Sequence, residues 1–143
     1  MDWSTVRAIL LGPTPEKTKR WSVLAGVLLG GSLLYFAALN AFTGYSWPVH
    51  LALWWEGYAV LLGALVVVQA YATEALLVSW AVSFAAVFGL VMNYGGIALT
   101  GEPPALPELL GLGLVGGCLA ALTIGTLGFA VGAALRRFAP AFR

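Results

Sequence analysis

Not one lysine or arginine occurs between Arg20 and Arg136, so the whole middle of this chain lacks a side chain that stays cationic at neutral pH. Charged residues make up only 9% of the sequence, against about a quarter in soluble domains. Acids are equally scarce: Asp2, Glu16, Glu56, Glu74, Glu102 and Glu108 are the complete set. Cys118 is the single cysteine; it cannot close an intrachain disulfide and has no Cys-x-x-Cys partner, which disfavours thiol oxidoreductase chemistry. His50 is the single histidine, so two imidazoles of one chain cannot hold a haem. The sequence contains no His-Glu-x-x-His, no Gly-x-Ser-x-Gly, no Gly-x-x-x-x-Gly-Lys and no pair of acids spaced for a metal. These gaps lead us to expect a protein that is not an enzyme and that needs neither cofactor nor metal. Binding of nucleic acid is also not expected, because no basic patch with interleaved aromatics exists outside the short tails.

Apolar residues fill the space left by charge. With 61% hydrophobic residues and a mean hydropathy of +0.93, the composition is that of an integral membrane protein. Four stretches, 21–43, 50–69, 73–99 and 106–135, are each long enough to cross a hydrocarbon core of about 30 Å, which takes roughly 20 helical residues. The expected fold is therefore all-α: a four-transmembrane-helix bundle forming one membrane domain over 1–143. The last two stretches exceed the minimum and must tilt or protrude.

An even number of crossings returns both termini to one side, and every base (Arg7, Lys17, Lys19, Arg20, Arg136, Arg137 and Arg143) lies in a terminal segment. Under the positive-inside rule both ends are cytoplasmic, and the bilayer is the cell's inner membrane. The first stretch follows Lys17-Thr18-Lys19-Arg20 as a signal peptide would. It is too long for a typical signal core and has no clean small-x-small cleavage site, so it reads as a retained helix. The link between the middle helices is expected as a cytoplasmic turn around Tyr71-Ala72, with 44–48 and 100–107 as external loops.

Residues 1–13 read as a short amphipathic helix lying in the headgroup region, because Trp3, Val6, Ile9 and Leu10 recur at helical spacing while Asp2, Ser4 and Arg7 fall elsewhere. Gly12-Pro13 ends it. Thr14-Pro15-Glu16 then supplies a cap, a proline for the first helical position and an early acid. Tyr45, Trp47, Trp54 and Trp55 at the outer boundary, with Trp3, Trp21 and Tyr71 at the inner one, form an aromatic belt that needs no ligand to explain it.

Helices associate in lipid by letting backbones approach, which small residues permit. The fourth stretch carries Gly113, Gly117, Ala121 and Gly125 at i, i+4 spacing, then Gly128 and Gly132 on a face displaced by one step. The third carries Ala81, Ala85 and Gly89, and the first carries Gly26 and Gly30. Such stripes serve contacts within one bundle, contacts with another membrane subunit, or self-association.

Glu56 is the only acid well inside an apolar stretch, since Glu74 and Glu108 stand within two residues of the starts of theirs. A charge at the bilayer centre costs about 2.5 kcal/mol or more and usually faces a bundle interior, an aqueous cavity or a partner. Counting inward at about 1.5 Å per residue places Asn40, Glu56 and Asn93 about 5 to 9 Å below the outer surface, on three different helices. If their faces converge, Tyr58 or Tyr94 adds a hydroxyl to this polar layer. The layer has three readings: a structural lock on helix register, a site exchanging a proton or cation, or a carboxylate that snorkels to water or meets a partner chain. Glu74 after Thr73 reads as a helix-start acid, and Ser79, Ser83, Thr123 and Thr126 can bond their own preceding carbonyls.

In size and helix count the chain resembles the small multidrug exporters, whose essential acid lies in the first helix, whereas Glu56 lies in the second. Trp54-Trp55-Glu56 resembles a Trp and Glu cluster of the small membrane subunits of tripartite substrate transporters, without the arginine-bearing pattern expected beside it. Neither resemblance carries residues over. The leading expectation is a non-catalytic subunit or accessory of a larger transport or respiratory membrane assembly. The alternative is a small homo-oligomeric transporter or channel using the carboxylate layer.

Overall fold

The computed structural model describes residues 2–43, 55–94 and 105–138, with side chains given except at 35–43, 55, 93 and 94. Five helices and no strand are found among the described residues: α1 (Trp3–Leu11), α2 (Pro15–Thr43), α3 (Trp55–Thr73), α4 (Leu76–Tyr94) and α5 (Leu106–Phe138). Two of them, within Glu56–Thr73 and Leu106–Phe138, are long and apolar enough to cross a membrane; the apolar part of α4, Leu76–Met92, is shorter.

Gly12 stops α1 for two reasons. Its φ of 76° is one that L side chains avoid, and a Cβ there would collide with the Thr73 carbonyl oxygen and crowd Ala75. The chain then turns into α2, which opens on Pro15, where the absent N–H costs nothing. Thr18 ties this corner together by donating its hydroxyl to the Leu11 carbonyl at 2.6 Å.

The turn between α3 and α4 falls at Glu74-Ala75: α3 runs to Thr73, four residues beyond the boundary that hydropathy suggests at Gln69, and Tyr71-Ala72 is still helical. The physical reason is a left-handed cap. Glu74 adopts φ 51°, and its N–H reaches back to the Ala70 carbonyl at 2.8 Å, the geometry glycine usually provides at a helix C-terminus. Glu74 therefore closes α3 rather than opening α4.

The middle helix is α4. It packs against each of the other four, and among its described side chains the one large apolar group exposed is Leu77 in its first turn. The core cluster runs through Ala25, Leu62, Val66, Ala75, Val78, Val82 and Ala86. By contrast α2, α3 and α5 turn Val27, Leu34, Val60, Leu61, Val68, Val115, Leu119 and Leu127 outward, each more than half exposed. An exterior this greasy around a core rich in alanine suits burial in lipid or against a partner.

The small residues explain how α5 reaches two neighbours. Its first half, Leu106–Ala120, packs on α4, and its second, Thr126–Phe138, packs on α3. A Cβ at Gly113 would lie 3.0 Å from the Phe88 ring, and one at Gly117 would lie 2.7 Å from the Phe84 ring. These two rings stack with centroids 5.5 Å apart. At Gly125 the neighbour is Trp80 at 2.9 Å, at Gly128 it is Val66 at 2.6 Å, and at Gly132 it is the Val67 carbonyl at 2.6 Å. The α5 stripe is thus covered within the chain.

A π-helical turn at Ala121–Gly125 makes this continuous coverage possible. Successive i+4 steps drift about 40° around an α-helix, so Gly125 would leave the face of Gly113. A π turn accommodates one extra residue and pulls the stripe back by about 100°, which returns Gly125, Gly128 and Gly132 to the packed side. The one-step displacement visible between Gly125 and Gly128 is the sequence trace of that turn.

Candidate functional site

The outer polar layer is only partly described. Asn40, Asn93 and Tyr94 have backbones in α2 and α4, but their side chains lie outside the described residues. Glu56 sits in the first turn of α3, where the helix dipole favours an acid, and it is exposed, with no ion pair or hydrogen bond among the described residues. Two positions on, Tyr58 points the other way. It is half-buried, donates its hydroxyl to the Ala86 carbonyl of α4 at 3.0 Å, and has Ser32 of α2 beside it. The structure does not bring Glu56 and Tyr58 together. Tyr58 ties α2, α3 and α4; Glu56 faces outward.

The other end of α3 holds a buried polar node whose residues the sequence reading did not group. Gln69, Thr73, Ser79 and Ser83 are all fully buried. The Gln69 amide nitrogen donates to the Thr73 hydroxyl at 2.6 Å and to the Ala75 carbonyl at 3.5 Å, and its oxygen accepts from the Ser79 hydroxyl at 2.7 Å. Thr73 in turn donates to the Gln69 carbonyl at 3.0 Å. The amide therefore straps α3 to α4 across their turn, and its donors and acceptor are engaged rather than free for a ligand. Ser83 is different: its hydroxyl oxygen has no hydrogen-bond partner. A signal did exist, since Gln69/Thr73 and Ser79/Ser83 are i, i+4 polar pairs on either side of the turn. The misplaced boundary at Gln69 hid it.

Around this node three parts of the chain converge. The end of α1 abuts Thr73 and Ala75 through Gly12. Arg136, in the last turn of α5, approaches the Glu74 carboxylate at 3.3 Å and donates to the Tyr71 carbonyl at 3.2 Å, capping an open end of α3 with a cation. One level deeper, Trp80 donates its indole N–H to Thr126 at 3.0 Å, just past the π turn. Thr123 donates to the Leu119 carbonyl at 2.7 Å, the local bond open to any helical threonine.

Of the small-residue positions, Ala85 and Gly89 are buried, with Gly89 held against Ser32, whereas Ala81 is exposed. Among the described residues, nothing lies within 4 Å of where a Cβ would stand at Gly26 and Gly30 on α2. No group of three metal-ligating side chains occurs among the described residues. The chemistry on view at the two ends of α3 is that of structural hydrogen bonding and of the outward-facing Glu56 carboxylate. No protein-family model, no curated protein and no solved structure matches the chain.

Proposed function

We propose that this is a non-catalytic, multi-pass membrane protein of four crossings, with both termini cytoplasmic, that serves as a subunit or accessory of a larger transport or respiratory membrane assembly. The observation that carries the reading is the contrast between two glycine faces. Every glycine of the α5 stripe is covered by α3 or α4, while Gly26 and Gly30 of α2 are left open by the described residues, beside exposed Val23 and Val27. In lipid a smooth face gains energy only when another backbone closes on it. The exposure of Glu56 supports the same reading, because an ionisable group at an apolar surface is stabilised by a partner.

Four crossings with the bases on one side draw support from the convergence of the α1 end, the α3–α4 turn and the α5 end, where Arg7, Lys19 and Arg136 also lie. Extraction into a mild detergent followed by native mass measurement tests the assembly. We expect a stoichiometric second chain that dissociates in Gly26→Leu/Gly30→Leu while the chain's own melting point is unchanged. A monomer under conditions that preserve known membrane complexes overturns the proposal. The competing reading, a homo-oligomeric transporter or channel, requires Glu56 to face an aqueous interior. Proton or cation flux by the purified chain in liposomes, abolished by Glu56→Gln, would replace the accessory reading with that one.

A further inference from the structure

The wedge between α1 and the start of α2 encloses an open cleft of about 770 Å³. We propose that it is a binding site for an acidic phospholipid, whose phosphate is held between Arg7 and Lys19 and whose glycerol and first acyl carbons lie against Trp3, Leu11 and Pro15. All five residues line the cleft.

The polar atoms there sort cleanly. Three hydroxyls line the cleft and all are spent locally: Ser4 donates to the Asp2 carboxylate at 2.9 Å, Thr18 to the Leu11 carbonyl at 2.6 Å, and Ser22 to the Thr18 carbonyl at 2.9 Å. The two cations are not spent. Neither Arg7 nor Lys19 makes an ion pair among the described residues, and no acidic side chain lines the cleft. The acids nearby are Asp2, turned onto Ser4, and Glu16, which borders a smaller adjoining hollow with Lys19, Arg20 and Val23. Two free cations above an apolar wall match an anion that carries hydrocarbon.

Placement selects lipid over a soluble anion. Trp3 is 77% exposed beside the cleft, an amphipathic ring at the level where such rings seek headgroups, and the apolar span of α2 begins just beyond Lys19. A soluble anion gains nothing from Leu11 and Pro15. Basic side chains beside an anionic leaflet each add to attraction for its lipids, and a cleft that also seats the glycerol converts that attraction into a specific site.

The inference rests on the membrane reading, and the experiment separates the two. The full chain in a neutral detergent is titrated with phosphatidylglycerol, phosphatidylcholine or inorganic phosphate, and bound adducts are counted by native mass spectrometry. One phosphatidylglycerol is expected to bind, with Arg7→Ala/Lys19→Ala weakening it roughly thirtyfold, the worth of two basic side chains near an anionic surface. Lys17→Ala/Arg137→Ala removes the same charge outside the cleft and is expected to weaken binding less than about threefold. Equal weakening by both pairs reduces the effect to general charge and overturns the site, as does phosphatidylcholine binding as tightly. Displacement by inorganic phosphate at matched concentration overturns the lipid assignment. Failure of the wild-type chain to enter vesicles of either lipid sinks the membrane reading and this inference together; vesicle insertion without a cleft-dependent adduct sinks only this one.

Discussion

Gln69 is the residue on which the α3–α4 hairpin depends most. Its amide meets Thr73, Ala75 and Ser79, so an apolar replacement of similar size removes three buried hydrogen bonds at once and leaves the Thr73 and Ser79 hydroxyls only the carbonyls four residues back. Gln69→Leu is expected to lower stability by about 1–2 kcal/mol, read as the unfolding free energy in mixed micelles. Ser83 makes the opposite case. Its buried hydroxyl oxygen has no partner among the described residues, so Ser83→Ala should be neutral or stabilise by up to about 1 kcal/mol, and a loss would mean that the hydroxyl does find a bond. Glu74 supplies a third test at this scale. Its left-handed backbone costs an L residue about 1–2 kcal/mol, while its partly exposed pairing with Arg136 returns about 1 kcal/mol at most. Glu74→Gly should therefore be close to neutral in the wild type and clearly stabilising when Arg136 is already alanine. A double-mutant cycle isolates the difference.

Helix α5 shows how far element-level physics was legible in the chain. The glycine ladder could be read because i+4 spacing marks one helical face, and the structure covers Gly113, Gly117, Gly125, Gly128 and Gly132 with α4 and α3. The π turn could not, because Ala121-Leu122-Thr123-Ile124-Gly125 is ordinary in composition and only the displaced step at Gly128 betrays it. The end of α3 was missed for a related reason: Thr73-Glu74 has the residue types of a helix start, whereas a left-handed glutamate closes the preceding helix. Of the polar layer, only Glu56 and Tyr58 have described side chains, and spacing along one helix did not reveal that they face opposite ways. The π turn makes a sharp prediction. Leu122 and Leu114 are both exposed, at 57% and 52%. Deleting Leu122 removes the extra residue and leaves a regular helix with Gly128 and Gly132 still facing α3. Deleting Leu114 rotates everything after it by about 100° off its partners. The first deletion should preserve a cooperative melt in detergent and the second should abolish it. Point substitutions offer a milder contrast. Gly132→Ala drives a methyl into the Val67 carbonyl and the Tyr71 amide and should cost about 1–3 kcal/mol, whereas Gly111→Ala meets nothing and should gain about 0.5–1 kcal/mol of helix propensity.

At the scale of the whole molecule, one end gathers Arg7, Lys19 and Arg136, the α1–α2 corner, the α3–α4 turn and the end of α5, held by Gly12 against Thr73 and by Arg136 against Glu74. Helix direction follows from the packing. α5 runs antiparallel to α4, since Gly113 meets Phe88 and Gly117 meets Phe84, and parallel to α3, since Gly128 meets Val66 and Gly132 meets Ala70. Glu108, in the first turn of α5, must then lie far from Arg136 in its last, because a helix of this length rises about 1.5 Å per residue and exceeds the thickness of a hydrocarbon core. A membrane-impermeant maleimide reads this directly in a Cys118→Ser background. On the proposed topology, Thr14→Cys and Arg137→Cys, at the basic end, should stay unlabelled in intact cells and react fully once the membrane is opened. Glu108→Cys should react from outside without permeabilisation. Labelling of Thr14→Cys and Arg137→Cys from opposite sides would require an odd number of crossings and would overturn the proposed topology.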